Sequence, residues 1–567
     1  MAHELTPGPD DGPVDDPANG GWSRPDGMDS GPIEPSSGRR RLVVAAIAVL
    51  VGVAMLAQLW PTGTVEPGRT AAAADPDTAT ILAGTPASID PAKHGDLGSA
   101  SYISQLFETL TAVDPALTVR PALAESWSVE NDGTRVVFTL REGLTFSDGS
   151  SLTAPDVVRS WRRLFNPREP SPLASLIADV KGARELLGGQ ATDPATLGVS
   201  ADGDRRVVVE LERGGADLPA IVSGAPFAIV PRTADDSEIL PGGDTFVGSG
   251  GYTVKEVTPA AFVLAANPRY WAGAPAIKTV RMLQTLNGAS PVDAFVAGDV
   301  DVAPISFVDA GWIGYDRQLG PSLRSDPSLS VTYYGFDTQR PPFDSPLVRQ
   351  AFAQAVDWRR LGQLDELGAS VPATSIVPAG IPGRPDGDYL PTYDPAAARA
   401  LLEHAGYATG AALGPVSFIA SGGGYDGAII AMLEENLGVT IDYATMDFGT
   451  YQDRLATDPP SIWSLSWVAD YPGPNDFLGV LLGTGSTSNE GGWSNPAFDA
   501  AIADAGSAAS PEEATQAYAR ALEIVRDDAP AVPVSYGTSY SLVRHGLLGA
   551  SQNGLGILRL AGLEWGS

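Results

Sequence analysis

The chain has 567 residues, too many for one compact core, and its 43% hydrophobic and 18% charged content suits a globular body of two or more units. A formal charge of −32 leaves no basic surface to offset phosphate repulsion, which excludes nucleic acid as a partner. Cysteine is absent, which excludes disulfides, thiolate metal sites, a cysteine nucleophile and a lipidated anchor cysteine.

In chain order, residues 1–41 read as a disordered acidic tail, rich in Pro, Gly, Asp and Glu and closed by Arg39-Arg40-Arg41. Leu42 to Trp60 is an uncharged apolar run that would span about 28 Å as a helix, close to one hydrocarbon core. The arginines place its first end in the cytoplasm, and Trp60 suits the far interface. The expectation is a single-pass anchor in the cell membrane; a cleaved signal peptide ending near Ala72-Ala73-Ala74 is the other reading. Both put the rest outside the cytoplasm. Residues 61–77 read as a linker, and the folded body begins near Thr78.

Within that body, helix and strand signals interleave. Val136, Phe138 and Leu140 alternate after the turn Asn131-Asp132-Gly133, and Arg206 to Leu211 reads as a second strand. Thr153 to Asp156 has a capping-box pattern, Ser345-Pro346 and Asp394-Pro395 place an N-cap before an N1 proline, and Ser510-Pro511-Glu512-Glu513 combines both signals. Gly406 reads as a helix C-cap. The mixture is α/β or α+β with mixed sheets. Arginine far outnumbers lysine (four of 36 basic residues), a bias of high-GC genomes such as the actinobacterial ones.

Pro121 to Trp127, Phe138 to Gly143, Phe146-Ser147-Asp148-Gly149 and Thr153 to Val157 resemble the signature region of the family 5 extracellular solute-binding proteins, the oligopeptide, dipeptide and nickel receptors of ABC importers. Further phrases resemble that family in order: Gly248 to Tyr252, Asn267 to Trp271, Ala297 to Asp301, Arg349 to Asp357, Tyr393 to Tyr407, Trp467 to Pro472 and Asn489 to Asp499. The resemblance implies a two-lobed periplasmic-binding-protein-like α/β fold of type II with hinge strands and an extra subdomain. Lobe I would take about 78–118, 245–330 and 527–567, the subdomain about 119–244, and lobe II about 331–526. Two departures stand out. Asp337 occupies a position usually held by asparagine, and Gly251 replaces a usual proline.

What the resemblance implies for function is the extracytoplasmic substrate-binding component of an ABC importer that closes on short peptides. Its partners would be a peptide, the permease and ATPase subunits, and the membrane through the N-terminal helix, with the protein itself a monomer. A membrane-tethered sensor or cell-envelope regulator on the same scaffold is the alternative. Neither a cofactor nor a metal is expected. The four histidines (His3, His94, His404 and His545) have no metal-binding spacing, and no nucleophile turn is present, so an enzymatic role is not expected.

The candidate ligand-binding residues are Asp470, Trp467, Tyr471, Asn489, Trp493 and Tyr334. A buried ligand ammonium needs an opposing carboxylate, because an unpaired buried charge costs several kcal/mol. Peptide receptors similar to this chain place an aspartate in the Ala-Asp-Tyr context of Asp470 for that purpose; a turn aspartate before Pro472 is the competing reading. Trp467 and Tyr471 would wall side-chain pockets or pack in the core. Asn489 and Trp493 would line the same cleft, and Tyr334 would sit at the hinge or cleft.

Overall fold

A computed structural model describes residues 75–234, 238–239, 246–363, 371–422, 424–508 and 510–566. The tail at 1–41, the apolar run at 42–60 and most of the linker at 61–77 lie outside the described residues. Among the described residues no helix is long and apolar enough to cross a membrane.

Strands Leu323–Phe336 (14 residues) and Ala531–Val543 (13 residues) run antiparallel through the middle of an 11-stranded mixed sheet. On one side Ala531–Val543 pairs with Val302–Ile305, and the sheet continues through Thr78–Leu82, Thr279–Leu283, Ala261–Ala266 and Tyr252–Val257. On the other, Leu323–Phe336 pairs with Ile462–Val468, followed by Pro415–Ala420 and Thr440–Thr445. These flanks are the sheets of the two lobes.

The two long strands do not pair without interruption. Leu323 to Pro327 lie opposite Thr538 to Leu542, and Val331 to Gly335 opposite Ala531 to Tyr536, with the register broken between. Pro327 has no N–H to contribute to a ladder, which favours a break beside it. Leu329 turns its N–H to the Gly554 carbonyl (2.8 Å) and accepts from the Ala469 N–H (2.8 Å). Strand alternation then sends Leu329, Val331 and Tyr333 into one apolar core of lobe II, and Tyr334 and Phe336 into the other.

A separate four-stranded antiparallel sheet (Ala124–Glu130, Arg135–Leu140, Arg206–Glu210 and Val199–Asp202) forms the subdomain. Its first hairpin turns through Asn131, Asp132 and Gly133, all with positive φ (54°, 52° and 83°), which Asn, Asp and Gly tolerate best. Val136, Phe138 and Leu140 pack with Trp161 of helix Ala154–Arg163 in one core.

Helix ends follow the sequence signals closely. Asp394 accepts from the Ala396 and Ala397 N–H groups, Ser510 from the Glu513 N–H, and the Thr153 N–H donates to Asp156 Oδ2 (2.9 Å). Ser345 makes no side-chain cap bond, so Pro346 alone marks that start. Gly406 (φ 96°) follows helix Pro395–His404.

Arginine–carboxylate pairs fasten the bodies. Arg163 of the subdomain grips the buried Asp90, which follows the first strand of lobe I, through both Nη atoms (3.1 and 2.8 Å), and Arg349 Nη2 meets the half-buried Asp528 Oδ1 at 2.8 Å. In lobe I the buried Glu108 receives Arg559 Nη2 (2.7 and 2.8 Å), the Tyr270 hydroxyl (2.5 Å) and Trp271 Nε1 (3.3 Å). Burial pushes the Glu108 carboxyl up, but the Arg559 charge and these donors outweigh it and hold it below the usual range. Arg559→Leu leaves that carboxylate buried without its cation. A loss of about 3 kcal/mol or more in unfolding free energy is expected, measured by urea denaturation at neutral pH.

Candidate functional site

The site is built on the segment that follows strand Ile462–Val468. Pro472, Gly473 and Pro474 turn the chain sharply, and a π-helical turn, Asp476–Val480, takes over. Such wide turns are rare and recur at functional sites. The turn tucks Asp476 behind Asp470. Asp476 Oδ2 accepts from Trp467 Nε1 (2.9 Å) and from the Asp470 N–H (3.2 Å), and the side chain is wholly buried.

Trp467, Asp470 and Tyr471 line one cavity of about 1340 Å³, above the ~300–1,000 Å³ of ordinary small-molecule sites. Lobe II supplies one wall, including Tyr518 and Asn475. The subdomain supplies the other through residues 172–180 and 213–218. The walls touch where a Cβ placed on Gly214 would stand 2.3 Å from the Gly506 carbonyl oxygen, so only glycine permits this approach.

Asp470 and Asp217 line the cavity with no ion-pair partner among the described residues. Burial pushes the Asp470 carboxyl up to about 6. Asp217, on the subdomain wall, is likewise raised by burial to about 6, with only the Tyr518 hydroxyl (3.4 Å) opposing. Burial, reinforced by the Asp470 charge, raises Asp476 well above the carboxylate range. At the rim the polarity reverses, where Arg184 and Arg213 both bind Asp179 (2.7 Å each).

The other expected residues lie elsewhere. Tyr334 is buried in the lobe II core, where its hydroxyl donates to Asp426 Oδ1 (2.7 Å) and its ring packs on Trp358 and Phe418. Strand alternation turns it away from the face that carries Tyr333. Asn489 spends its amide on its own loop, donating to Trp493 O (2.7 Å) and accepting from the Trp493 N–H (3.1 Å). Trp493 is buried against Phe498 with its Nε1–H on Asp528. Both line a void of about 10 Å³ beside Tyr333 and Trp463, separate from the large cavity. Tertiary structure adds Asp217, Asp476 and Tyr518. Asp476 was within reach of sequence reading, six residues after Asp470, whereas nothing local to Asp217 marks it. Of the two departures, Asp337 is accommodated by an ion pair with Arg340, which also holds Asp458 (2.7 Å).

A mixed sheet crossed by two long strands, with a large cavity between a lobe and a subdomain, defines a two-lobed binding-protein fold of the periplasmic type. The model of the bacterial extracellular solute-binding proteins, family 5, matches residues 118–489, and the chain belongs to that family. It is 30% identical over 483 residues to the periplasmic murein peptide-binding protein MppA of Escherichia coli, covering 82% of this chain and 88% of that one. It is also 30% identical over 476 residues to the probable deoxycholate-binding periplasmic protein YgiS of the same organism, covering 81% and 88%. The unliganded open form of MppA superposes with a TM-score of 0.74 at 26% identity, over 87% of this chain and 98% of that one. The family is one of binding proteins.

Two outcomes are expected from this geometry. Gly214→Leu wedges the walls apart at Gly506, so the protein should give a larger radius of gyration in small-angle scattering. The second concerns pH. Between about pH 4 and 6 the folded chain retains protons on Asp217 and Asp470 that the unfolded chain has released, so their burial costs stability above about pH 6 and that cost is relieved as pH falls. Replacing both by Asn should therefore raise Tm more at about pH 8 than at about pH 4, read by thermal unfolding.

Proposed function

We propose that this protein is the extracytoplasmic substrate-binding component of an ABC importer and that it binds short peptides by closing the cavity around them. The observation that carries the reading is Asp470. It is an unneutralised, half-buried carboxylate between Trp467 and Tyr471 in a cavity large enough for several residues. A peptide α-ammonium supplies the charge this carboxylate lacks, and the flat aromatic faces offer contact area with few rotors to order. Murein-peptide and oligopeptide binding in the names of relatives supports the same ligand class. Asn489, Trp493 and Tyr334 then act from behind the wall, holding the loop and strand from which the site is built. Leu42 to Trp60 tethers the receptor to the cell membrane, with the binding domain outside.

Mass spectrometry of material released by denaturing the purified full-length protein tests the ligand class. Short peptides with free amino termini are expected; a bile acid or a glycan would overturn the reading. In calorimetry, Asp470→Ala should weaken binding of such a peptide at least about tenfold, on the order of 2 kcal/mol. Unchanged affinity would remove Asp470 from the role.

A further inference from the structure

We propose that a second, uncharged cavity in lobe I receives side chains of the bound peptide, and that the chain selects peptides with large apolar side chains over polar ones of the same size. The inference rests on the peptide reading above and adds to it which peptides are taken. It does not depend on which group holds the ammonium.

This cavity, of about 770 Å³, opens at the carboxyl ends of three parallel strands. Thr78–Leu82 pairs in parallel with Thr279–Leu283 on one side and with Val302–Ile305 on the other. The lining includes Leu82, Met282 and Ile305 at those ends, with Gly84 and Phe307 just beyond. In open α/β sheets the crevice outside the carboxyl ends of the strands is where ligands bind. The long strand Ala531–Val543 contributes residues 537–540 to another side, and the last segment of the chain contributes Gln552 and Gly556. These two flank Gly554, whose carbonyl takes the Leu329 N–H at the break in the long strands. The cavity thus adjoins the same break as Ala469, the neighbour of Asp470.

The chemistry of the lining is a separate observation. No Asp, Glu, Lys, Arg or His lines this cavity, in a chain that has 68 acidic and 36 basic residues. The larger cavity, by contrast, is lined by Asp179, Arg184, Arg213, Asp217 and Asp470 among others. The polar side chains that do line the smaller one are partly spent on the protein. Gln105 donates through Nε2 to the Ser101 and Leu558 carbonyls (2.8 and 2.9 Å) and accepts from the Leu560 N–H (2.9 Å). The Ser101 hydroxyl donates to the Leu97 carbonyl (2.9 Å). Leu97 and Phe307, by contrast, line the cavity with about half of each surface open (49% and 50%). Large apolar side chains left open in a concave site mark a ligand-binding surface, and the volume is that of a small-molecule site, ~300–1,000 Å³, rather than a flat face for another protein. An amide or charged side chain entering here sheds water with few groups to replace it. An apolar one removes its own surface, and that of Leu97 and Phe307, from water.

The test compares Ala-Leu-Leu with Ala-Gln-Gln by calorimetry on the full-length protein. The two have the same length, the same net charge and side chains of similar size, so only side-chain polarity differs. Ala-Leu-Leu should bind at least about tenfold more tightly. Leu97→Asn and Phe307→Asn, made singly and together, should each reduce that ratio, and the pair should bring it to about twofold or less. Equal affinity of the two peptides in the wild-type protein overturns the inference while leaving the peptide reading intact, and needs no variant to fold. A preference that survives in full in the single and double variants overturns the assignment to this cavity. Failure of both peptides to bind overturns the peptide reading itself.

Discussion

The architecture depends on one pair of strands. Leu323–Phe336 and Ala531–Val543 are the strands at which the sheets of the two lobes meet, and each is long enough to serve both. Because the register breaks between Pro327 and Val331 and shifts again between Thr332 and Tyr333, the pair consists of short ladders rather than one long one. A continuous ladder would resist bending across every bond, whereas short ladders with Leu329 turned aside to Gly554 and Ala469 concentrate any bend at a few residues. The wall of the cavity hangs from the same place, since Ala469, bonded to Leu329, immediately precedes Asp470. The break in the long strands and the wall of the cavity are thus one hydrogen bond apart.

The electrostatics of the cavity are unlike those of the surface. The formal net charge of the chain is −32, and charges on exposed side chains are screened by water and salt. The carboxyls of Asp217, Asp470 and Asp476 are shielded from water and lack cations, so each is raised rather than lowered. Elsewhere in the same protein the buried carboxylates of Glu108 and Asp90 are matched by Arg559 and Arg163, and the half-buried Asp528 by Arg349. The contrast separates carboxylates whose cations are built into the scaffold from carboxyls that line or back the cavity without one.

That distinction also explains which phrases of the sequence spoke of fold and which of site. Ser249, Tyr270 and Trp271 belong to family-like phrases, and they surround Glu108, which takes the Ser249 hydroxyl oxygen as acceptor for its own N–H. Arg349 and Trp493 belong to two others, and both bind Asp528. These phrases encode the fastening of each body, so they disclose the scaffold and say little about the ligand. The expectation for Asn489 and Trp493 drew on the same kind of phrase and that for Tyr334 on its place at a strand end, and these side chains sit in the scaffold beside the cavity.

The sequence by itself determined the elements: the Asn131-Asp132-Gly133 turn, the caps at Asp394 and Ser510, the alternation through Val136, Phe138 and Leu140, and the local group Trp467, Asp470 and Tyr471. All of these are set by interactions a few residues apart, which spacing and residue type record directly. Tertiary structure alone decided that Asp217 lines the same cavity as Asp470, about 250 residues away, that Gly214 meets Gly506, and that a π-helical turn buries Asp476. These depend on how two bodies pack against each other, and no local pattern in the chain records a contact between distant surfaces.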